Sequence, residues 1–292
     1  MVNRQTSTFL KQRMEEAGIR PVSKFGQNFL IDLNLVNMIA DSANLTEQDV
    51  ALEVGTGTGS LTGLIAQKAG RVITVEIDQN LWQLAQEELA GFNNITFLQQ
   101  DALRNKNNLN PILIDTIRQA MSEIEGARLK LVANLPYNIG TKLLIEWLTV
   151  RTWPPFWHSL TLMFQNEVAE RIVASQGNKS YGRLSVLSNW RCNTSIKMKL
   201  NPEVFFPPPK VTSAVVQLEA LAEPKYKSNL DGLEIVVATA FNQRRKMLRS
   251  SLKKIMPDIE TILKNIDIDP SLRAEDLTIE HFCLIANKLN LT

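Results

Sequence analysis

The sequence predicts an α/β fold: a mostly parallel sheet with helices on both faces, followed by a small all-helical domain. Three observations carry this. From Val50 onward, short β-rich runs alternate with stretches of helical periodicity, the pattern of a parallel sheet with crossover helices. A glycine-rich turn, Gly55-Thr56-Gly57-Thr58-Gly59, joins the first of those runs to the first helical stretch. Beyond the polar segment Glu219–Asn229, interrupted by Pro224, only helical patterns remain.

Taken in order, residues 1–20 read as a polar leader with a short helix. Val50–Val54 is the first strand and Leu61–Ala69 its helix. Arg71–Val75 and Gln79–Leu89 form the next strand and helix, and Asn94–Leu98 a third strand. Leu129–Ala133 is the fourth strand, Thr141–Thr149 a helix and Ser159–Phe164 the fifth strand. Further strand-like runs lie near Leu184–Ser188 and Val211–Leu218. The stretch between Asp101 and Asn134 is long, with polar Arg104–Asn110 and an amphipathic Ile112–Ile124, and reads as an insertion carrying its own surface helix. The expected domains are 1–220 and 221–292.

Composition narrows the function classes. Hydrophobic residues are 44% and charged residues 21%, enough to bury a core and too apolar for a disordered chain. The formal net charge of +2 is too small to mark a nucleic-acid binder by itself, so any such surface must be a local cluster. Cys192 and Cys283 show no paired spacing, which points away from a disulfide framework or zinc site and fits a reducing cytoplasm. No metal is expected. Met1–Arg20 has no apolar core of a signal peptide, and no run approaches the roughly 18 apolar residues of a membrane span.

The glycine loop Glu53-Val54-Gly55-Thr56-Gly57-Thr58-Gly59 leaves a strand and opens a helix. Glycines belong where the backbone turns tightly and a bound nucleoside comes close. The spacing is GxGxG, not the GxGxxG of a dinucleotide site, and no lysine follows to make a phosphate loop. Glu76 ends the next strand, where a carboxylate is able to accept from both hydroxyls of a ribose. Asp101 follows the third strand and is placed to hold an adenine amine. Glu53, Glu76 and Asp101 thus stand together at the carboxyl edge of the sheet, where open α/β sheets bind ligands. A purely structural turn beside solvated acids is the alternative. The order of acid, GxGxG, acid and Asp resembles the Rossmann-like S-adenosylmethionine methyltransferases.

Asn134-Leu135-Pro136-Tyr137 follows the fourth strand and resembles the (N/D)-x-P-(Y/F) signature of enzymes that methylate an exocyclic base amine. The chemistry accounts for the residue types. The lone pair of such an amine is delocalised into the ring, so the amine is a poor nucleophile. The Asn134 side-chain oxygen and the Leu135 carbonyl are each able to accept one of its hydrogens, holding the nitrogen in line with the methyl. Pro136 stiffens the turn. Tyr137 offers a stacking face that favours the positive charge growing on nitrogen. The base has to leave its stack to reach such a pocket.

Over nearly its whole length the chain resembles the bacterial small-subunit ribosomal RNA adenine dimethyltransferases. Lys24-Phe25-Gly26-Gln27-Asn28-Phe29-Leu30 resembles the family's cofactor lid, which implies that Asn28 and Leu30 touch the methionine end of S-adenosylmethionine. Glu53–Thr62 is the glycine loop, with Thr56 where many relatives carry proline. Asn134–Thr141, Phe164–Ile172, Phe206–Val216, Phe241–Leu252 and Arg273–Phe282 resemble the later family blocks. The resemblance implies dimethylation of two adjacent adenines during ribosome biogenesis, with Gly55, Gly57, Gly59, Glu76, Asp101, Asn28, Leu30 and Asn134 at the cofactor. It implies Asn134, Leu135, Pro136 and Tyr137 at the reaction, and a monomer that works in the cytoplasm on the small ribosomal subunit. Two alternatives remain: a resistance-type methylase of large-subunit ribosomal RNA, and an assembly factor that keeps the fold without the reaction.

Arg244, Arg245, Lys246, Arg249, Lys253 and Lys254 cluster within residues 244–254 without an acid. On a continuous helix, Arg245, Arg249 and Lys253 would share one face with Lys246 beside it, a stripe suited to RNA phosphates. A solvated helix face is the bland alternative. His158 and His281 are too far apart in sequence to suggest a catalytic or metal pair. Trp147, Trp153, Trp157 and Trp190 read as packing residues, and Phe164 with Phe205 or Phe206 as a possible second wall of the base pocket.

Overall fold

The computed structural model describes residues 7–16, 18, 27–105 and 108–289. Lys24, Phe25 and Gly26 of the lid segment lie outside the described residues. The chain divides into two compact units. One comprises Met1–Glu146, Phe156–Ala169 and Ser195–Glu219; the other comprises Trp147–Pro155, Glu170–Thr194 and Ala220–Thr292. The second unit therefore takes in two segments that precede residue 220.

In chain order the elements up to the reaction motif are α1 (Ser7–Glu16), β1 (Phe29–Leu30), α2 (Leu33–Ser42), β2 (Asp49–Val54), α3 (Ser60–Ala66), β3 (Arg71–Glu76), α4 (Gln79–Glu88), β4 (Ile95–Gln99), β5 (Leu103–Asn105), β6 (Asn108–Leu109), α5 (Pro111–Ser122) and β7 (Arg128–Ala133). There follow α6 (Gly140–Leu148), β8 (Ser159–Gln165), α7 (Asn166–Val173), α8 (Arg183–Arg191), β9 (Cys192–Leu200), β10 (Phe205–Phe206) and β11 (Ser213–Ala220). Helices α9 (Leu230–Asn242), α10 (Leu248–Ser251), α11 (Ile259–Asn265) and α12 (Ile279–Ala286) complete the chain.

A seven-stranded sheet runs in the order β4-β3-β2-β7-β8-β11-β9. The pairs β3–β4, β2–β3, β2–β7 and β7–β8 are parallel, and β11 lies antiparallel to β8. All six residues of β2 are buried, as expected of a central strand covered on both faces. Helix starts follow local cap chemistry. Asp32 accepts from the N–H groups of Asn34 and Leu35, and Asp78 from those of Asn80 and Leu81. Asn110 caps α5 with Pro111 in the first turn, where a missing N–H costs nothing.

The insertion expected at Ile112–Ile124 is instead an obligatory part of the sheet's connectivity. Strand β4 is at the sheet edge and β7 sits beside β2, so a connection must pass back over β3 and β2. Helix α5 makes that crossover and packs on both strands through Leu113, Ile117 and Ala120. What remains as an embellishment is the small β5–β6 hairpin before it.

One further expectation fails, and one strand was missed. Leu184–Ser188 is helix α8, not a strand: the run is short and apolar, and such runs carry no decisive period. Val186, Leu187 and Ser188 are buried, and α8 packs on α9 and α12. Strand β9 was not anticipated, although its burial alternates along Asn193–Lys199.

The second unit is helical, with an isolated bridge between Met247 and Arg273. Asn229 caps α9 and Thr278 caps α12. A Cβ on Gly232 would stand 2.9 Å from the Ala286 carbonyl oxygen, so glycine permits the close approach of α9 and α12. Arg191 is buried, donates to the carbonyls of Val150 and Thr152, and lies 4.4 Å from the Trp153 ring centroid and 5.5 Å from that of Trp190. Trp147, Trp157 and Trp190 are buried and serve packing, as expected.

Candidate active site

A cavity of about 320 Å³ opens at the carboxyl ends of β2, β3, β4 and β7. That is within the range of small-molecule sites, roughly 300–1,000 Å³. Asn28, Leu30, Gly55, Gly57, Glu76, Asp101, Asn134, Leu135, Pro136 and Tyr137 all line it. Gly59 is not among the lining residues; it caps the start of α3, and a Cβ there would meet Leu89 at 3.0 Å.

The glycine loop is held by its acids. Gly57 has φ +56°, and its N–H donates to Glu76 Oε2 at 3.0 Å. A Cβ at Gly57 would touch the Phe29 ring of β1 at 3.4 Å, an ordinary contact, so it is the positive φ rather than lack of space that calls for glycine here. The other Glu76 oxygen accepts from the N–H groups of Ile77 and Asp78 at 2.9 and 3.0 Å. Three of about four lone-pair sites are thus taken by backbone, and the carboxylate is fixed in orientation. Burial nonetheless pushes its pKa above the ordinary carboxylate value.

Glu53 is sealed in the wall, 1% exposed. Its Oε2 accepts from the hydroxyls of Thr62 and Thr74, and Thr74 in turn meets the Thr56 hydroxyl at 2.6 Å. Desolvation outweighs these bonds and pushes the Glu53 pKa up to about 8. At neutral pH Glu53 is therefore mostly the neutral acid. Asp101 is exposed, with Oδ1 accepting from the Leu103 N–H at 2.9 Å.

The Asn134–Tyr137 motif sits in the turn between β7 and α6. Asn134 Nδ2 donates to the Asn28 carbonyl at 3.1 Å, so its amide nitrogen is spent on the lid and its oxygen is the end left for a ligand. The Pro136 carbonyl accepts from the N–H groups of Ile139 and Gly140 at 3.1 and 3.0 Å, which closes the turn. Tyr137 Oη lies 2.5 Å from Ser213 Oγ. Burial raises the Tyr137 pKa, so the phenol stays neutral and is no base.

Several lining residues had escaped sequence reasoning. Ile77 is 48% exposed and lines the cavity directly after the strand-end acid. Gln100 also lines the cavity, and its side-chain nitrogen is buried without a hydrogen-bond partner. That orphan donor, the glycine cradle and the ring of acceptors fit a nucleoside carrying a charged amino-acid tail. Phe164, Phe205 and Phe206 do not line the cavity. Phe205 pairs with Leu30, and Phe206 with Phe29, across β10 and β1. Phe164 lies close to Gly140, where an added Cβ would meet its ring at 3.3 Å.

The expected basic stripe is rearranged. Helix α9 ends at Asn242, Met247 is extended with ψ 152°, and α10 covers only Leu248–Ser251, so no continuous helix aligns the bases. The Met247–Arg273 bridge and the Leu248 N–H bond to the Leu272 carbonyl hold this break. Arg244 is committed to Glu275 at 2.6 Å and to the Lys179 carbonyl at 2.9 Å. Arg245, Lys246, Arg249 and Lys253 lie along the turn, α10 and the segment after it, and all four are exposed there.

The family model for ribosomal RNA adenine dimethylase matches residues 20–291. The chain is 51% identical over 267 residues to the ribosomal RNA small subunit methyltransferase A of Ruegeria pomeroyi, covering 90% of each. It is 47% identical over 282 residues to the protein of the same name from Cereibacter sphaeroides, covering 96% of each. Among solved structures, a dimethyladenosine transferase from Plasmodium falciparum superposes with a TM-score of 0.69 at 23% identity, over 88% of this chain and 95% of that one. The 23S rRNA methyltransferase ErmE gives 0.63 at 25% identity, over 90% and 99%.

Proposed function

The chain belongs to the ribosomal RNA adenine dimethylase family, and from that premise we propose that it transfers methyl groups from S-adenosylmethionine to the exocyclic amines of two adjacent adenines in small-subunit ribosomal RNA. The observation that carries this reading is the convergence of two distant motifs on one cavity: the glycine loop with Glu76 and Asp101, and the Asn134–Tyr137 turn.

In this reading Gly55, Gly57, Glu76 and Asp101 hold the nucleoside part of S-adenosylmethionine, and Asn28 and Leu30 lie toward its methionine end. When bound, the cofactor supplies an electrophilic methyl on a sulfonium. Asn134 Oδ1 and the Leu135 carbonyl accept from the target amine and aim its lone pair. Tyr137 stacks on the base and favours the cation forming on nitrogen. The surplus proton passes to solvent, since no lining base is needed before transfer. After the second methylation the amine has no N–H left. Its two acceptors then stand unpaired, which weakens the hold on the product and favours release.

Residues 1–220 would supply catalysis, and the helical 221–292 segment would contact RNA through Arg245, Lys246, Arg249 and Lys253. We assign Arg244 to the fold, because its partners are within the protein. Among the described residues no helix is long and apolar enough to cross a membrane, and no acid, His and Cys cluster suits a metal. We propose a cytoplasmic monomer. Methyl transfer to unmethylated small subunits, with mass mapping of modified adenines in both ribosomal RNAs, tests the reading. Methylation confined to the large-subunit RNA would favour the resistance-type enzyme, and none at all an assembly factor.

A further inference from the structure

We propose that Ser213 is a positioning residue for methyl transfer, its hydroxyl tethering the far end of the Tyr137 ring so that the ring's long axis keeps one direction beside the target base. The inference rests on the reading of Tyr137 as the stacking ring.

The two residues are remote in sequence but meet at 2.5 Å, hydroxyl to hydroxyl. They sit on supports of different stiffness. Ser213 is fully buried and opens β11, where it pairs with Gln165 of β8. Next to it the Asn166 N–H donates to the Thr212 carbonyl at 2.8 Å, so the backbone on either side of this corner is held. Tyr137 lies in the turn between β7 and α6, half-buried and on the cavity wall. Pro136 and the closed turn decide where its side chain begins. They do not decide where the far end of the ring stands, because χ1 has more than one staggered well. Oη lies on the axis about which χ2 turns, so a hydrogen bond at that atom fixes χ1 and the direction of the ring's long axis.

Residue choice agrees with this role. Stacking needs a ring, and phenylalanine supplies one; a phenol adds a hydroxyl whose partner here is the protein. The rest of β11 from Ala214 to Val216 is apolar and fully buried, so a serine at its head is out of place unless its hydroxyl is used. The neutral phenol also leaves the pair a hydrogen bond between uncharged groups rather than a proton relay.

The chemical consequence falls on turnover. A ring free to tilt still admits the base but loses the in-line placement of its amine, and small misplacements are costly in rate. The test uses the full chain, unmethylated small subunits and S-adenosylmethionine. Ser213→Ala and Tyr137→Phe each remove half of one hydrogen bond. Each should lower kcat by about tenfold, with KM for subunits and calorimetric cofactor affinity unchanged. The double variant should be no slower than the slower single one, because both changes delete the same contact. Wild-type kcat in Ser213→Ala, or losses that multiply in the double variant, would overturn the proposal. Tyr137→Ala separates the two levels of the argument. If it abolishes turnover while Ser213→Ala does not lower it, the stacking ring stands and the tether is wrong. If Tyr137→Ala turns over normally, the stacking reading itself fails and the tether with it.

Discussion

Replacing Glu53 by glutamine should stabilise the protein in mildly alkaline solution and remove part of its pH dependence. The carboxyl is sealed in the cavity wall, and its pKa of about 8 stands well above the ordinary 4.5. A folded-state pKa above the unfolded one means that the folded protein binds this proton more tightly. The contribution is therefore complete below pH 4.5 and is lost progressively until the pH passes 8. A tenfold difference in proton affinity between the two states is worth about 1.4 kcal/mol, so between about pH 6 and pH 8.5 this group alone removes about 2.5 kcal/mol of stability. Glutamine has nearly the same shape and its oxygen is able to take both threonine hydroxyls, but it has no charge to desolvate. Denaturant midpoints for wild type and Glu53→Gln across roughly pH 6–8.5 give the measurement. The difference between the two curves isolates Glu53 from other titrating groups, and the variant should gain on wild type as pH rises. Parallel curves would show that Glu53 is not a proton-holding carboxyl, and that its hydroxyl partners or hidden solvent offset its burial.

Asn134→Ala should lower turnover at least tenfold while RNA binding is largely kept, since a hydrogen bond needed in the transition state is worth roughly 1.5–3 kcal/mol; single-turnover rates decide, and a wild-type rate would remove Asn134 from the reaction. Gly57→Val should abolish calorimetric cofactor binding with a native circular dichroism spectrum, because a branched side chain would strain a φ of +56° and press on Phe29; retained affinity would place the cofactor elsewhere. Arg245→Glu with Arg249→Glu should weaken affinity for small subunits and flatten its salt dependence, leaving cofactor affinity unchanged, whereas an unaltered salt slope would mark these bases as solvent-facing only.

Much of the catalytic unit was legible because its signals are local. A strand buried on both faces announces itself as an apolar run. The turn chemistry of the glycine loop and of Asn134–Tyr137 is written within a few consecutive residues each. The sequence was misleading where a local pattern is compatible with two structures. Leu184–Ser188 carries no decisive period, and packing on α9 and α12 made it a helix. The bases after Gln243 fit a helix by spacing, yet the bridge to Arg273 breaks that helix and Glu275 claims Arg244. The stretch after Asp101 looked like an insertion only because strand order is not written in it; the position of β7 beside β2 makes α5 a necessary crossover.

By itself, then, the sequence determined the strands of the sheet apart from β9, the residue chemistry of both motifs and the family. Those follow from periodicity and from turn geometry, which neighbouring residues set among themselves. Only the tertiary structure decided which groups face one another. The Asn134 amide meets the Asn28 carbonyl, Tyr137 meets Ser213, and Glu53 shares Thr62 and Thr74 in a sealed wall. Gln100 is left with a buried donor beside the cavity. Such pairings, and the dielectric that sets the Glu53 proton, depend on the path of the chain between distant positions, and no local pattern encodes that path.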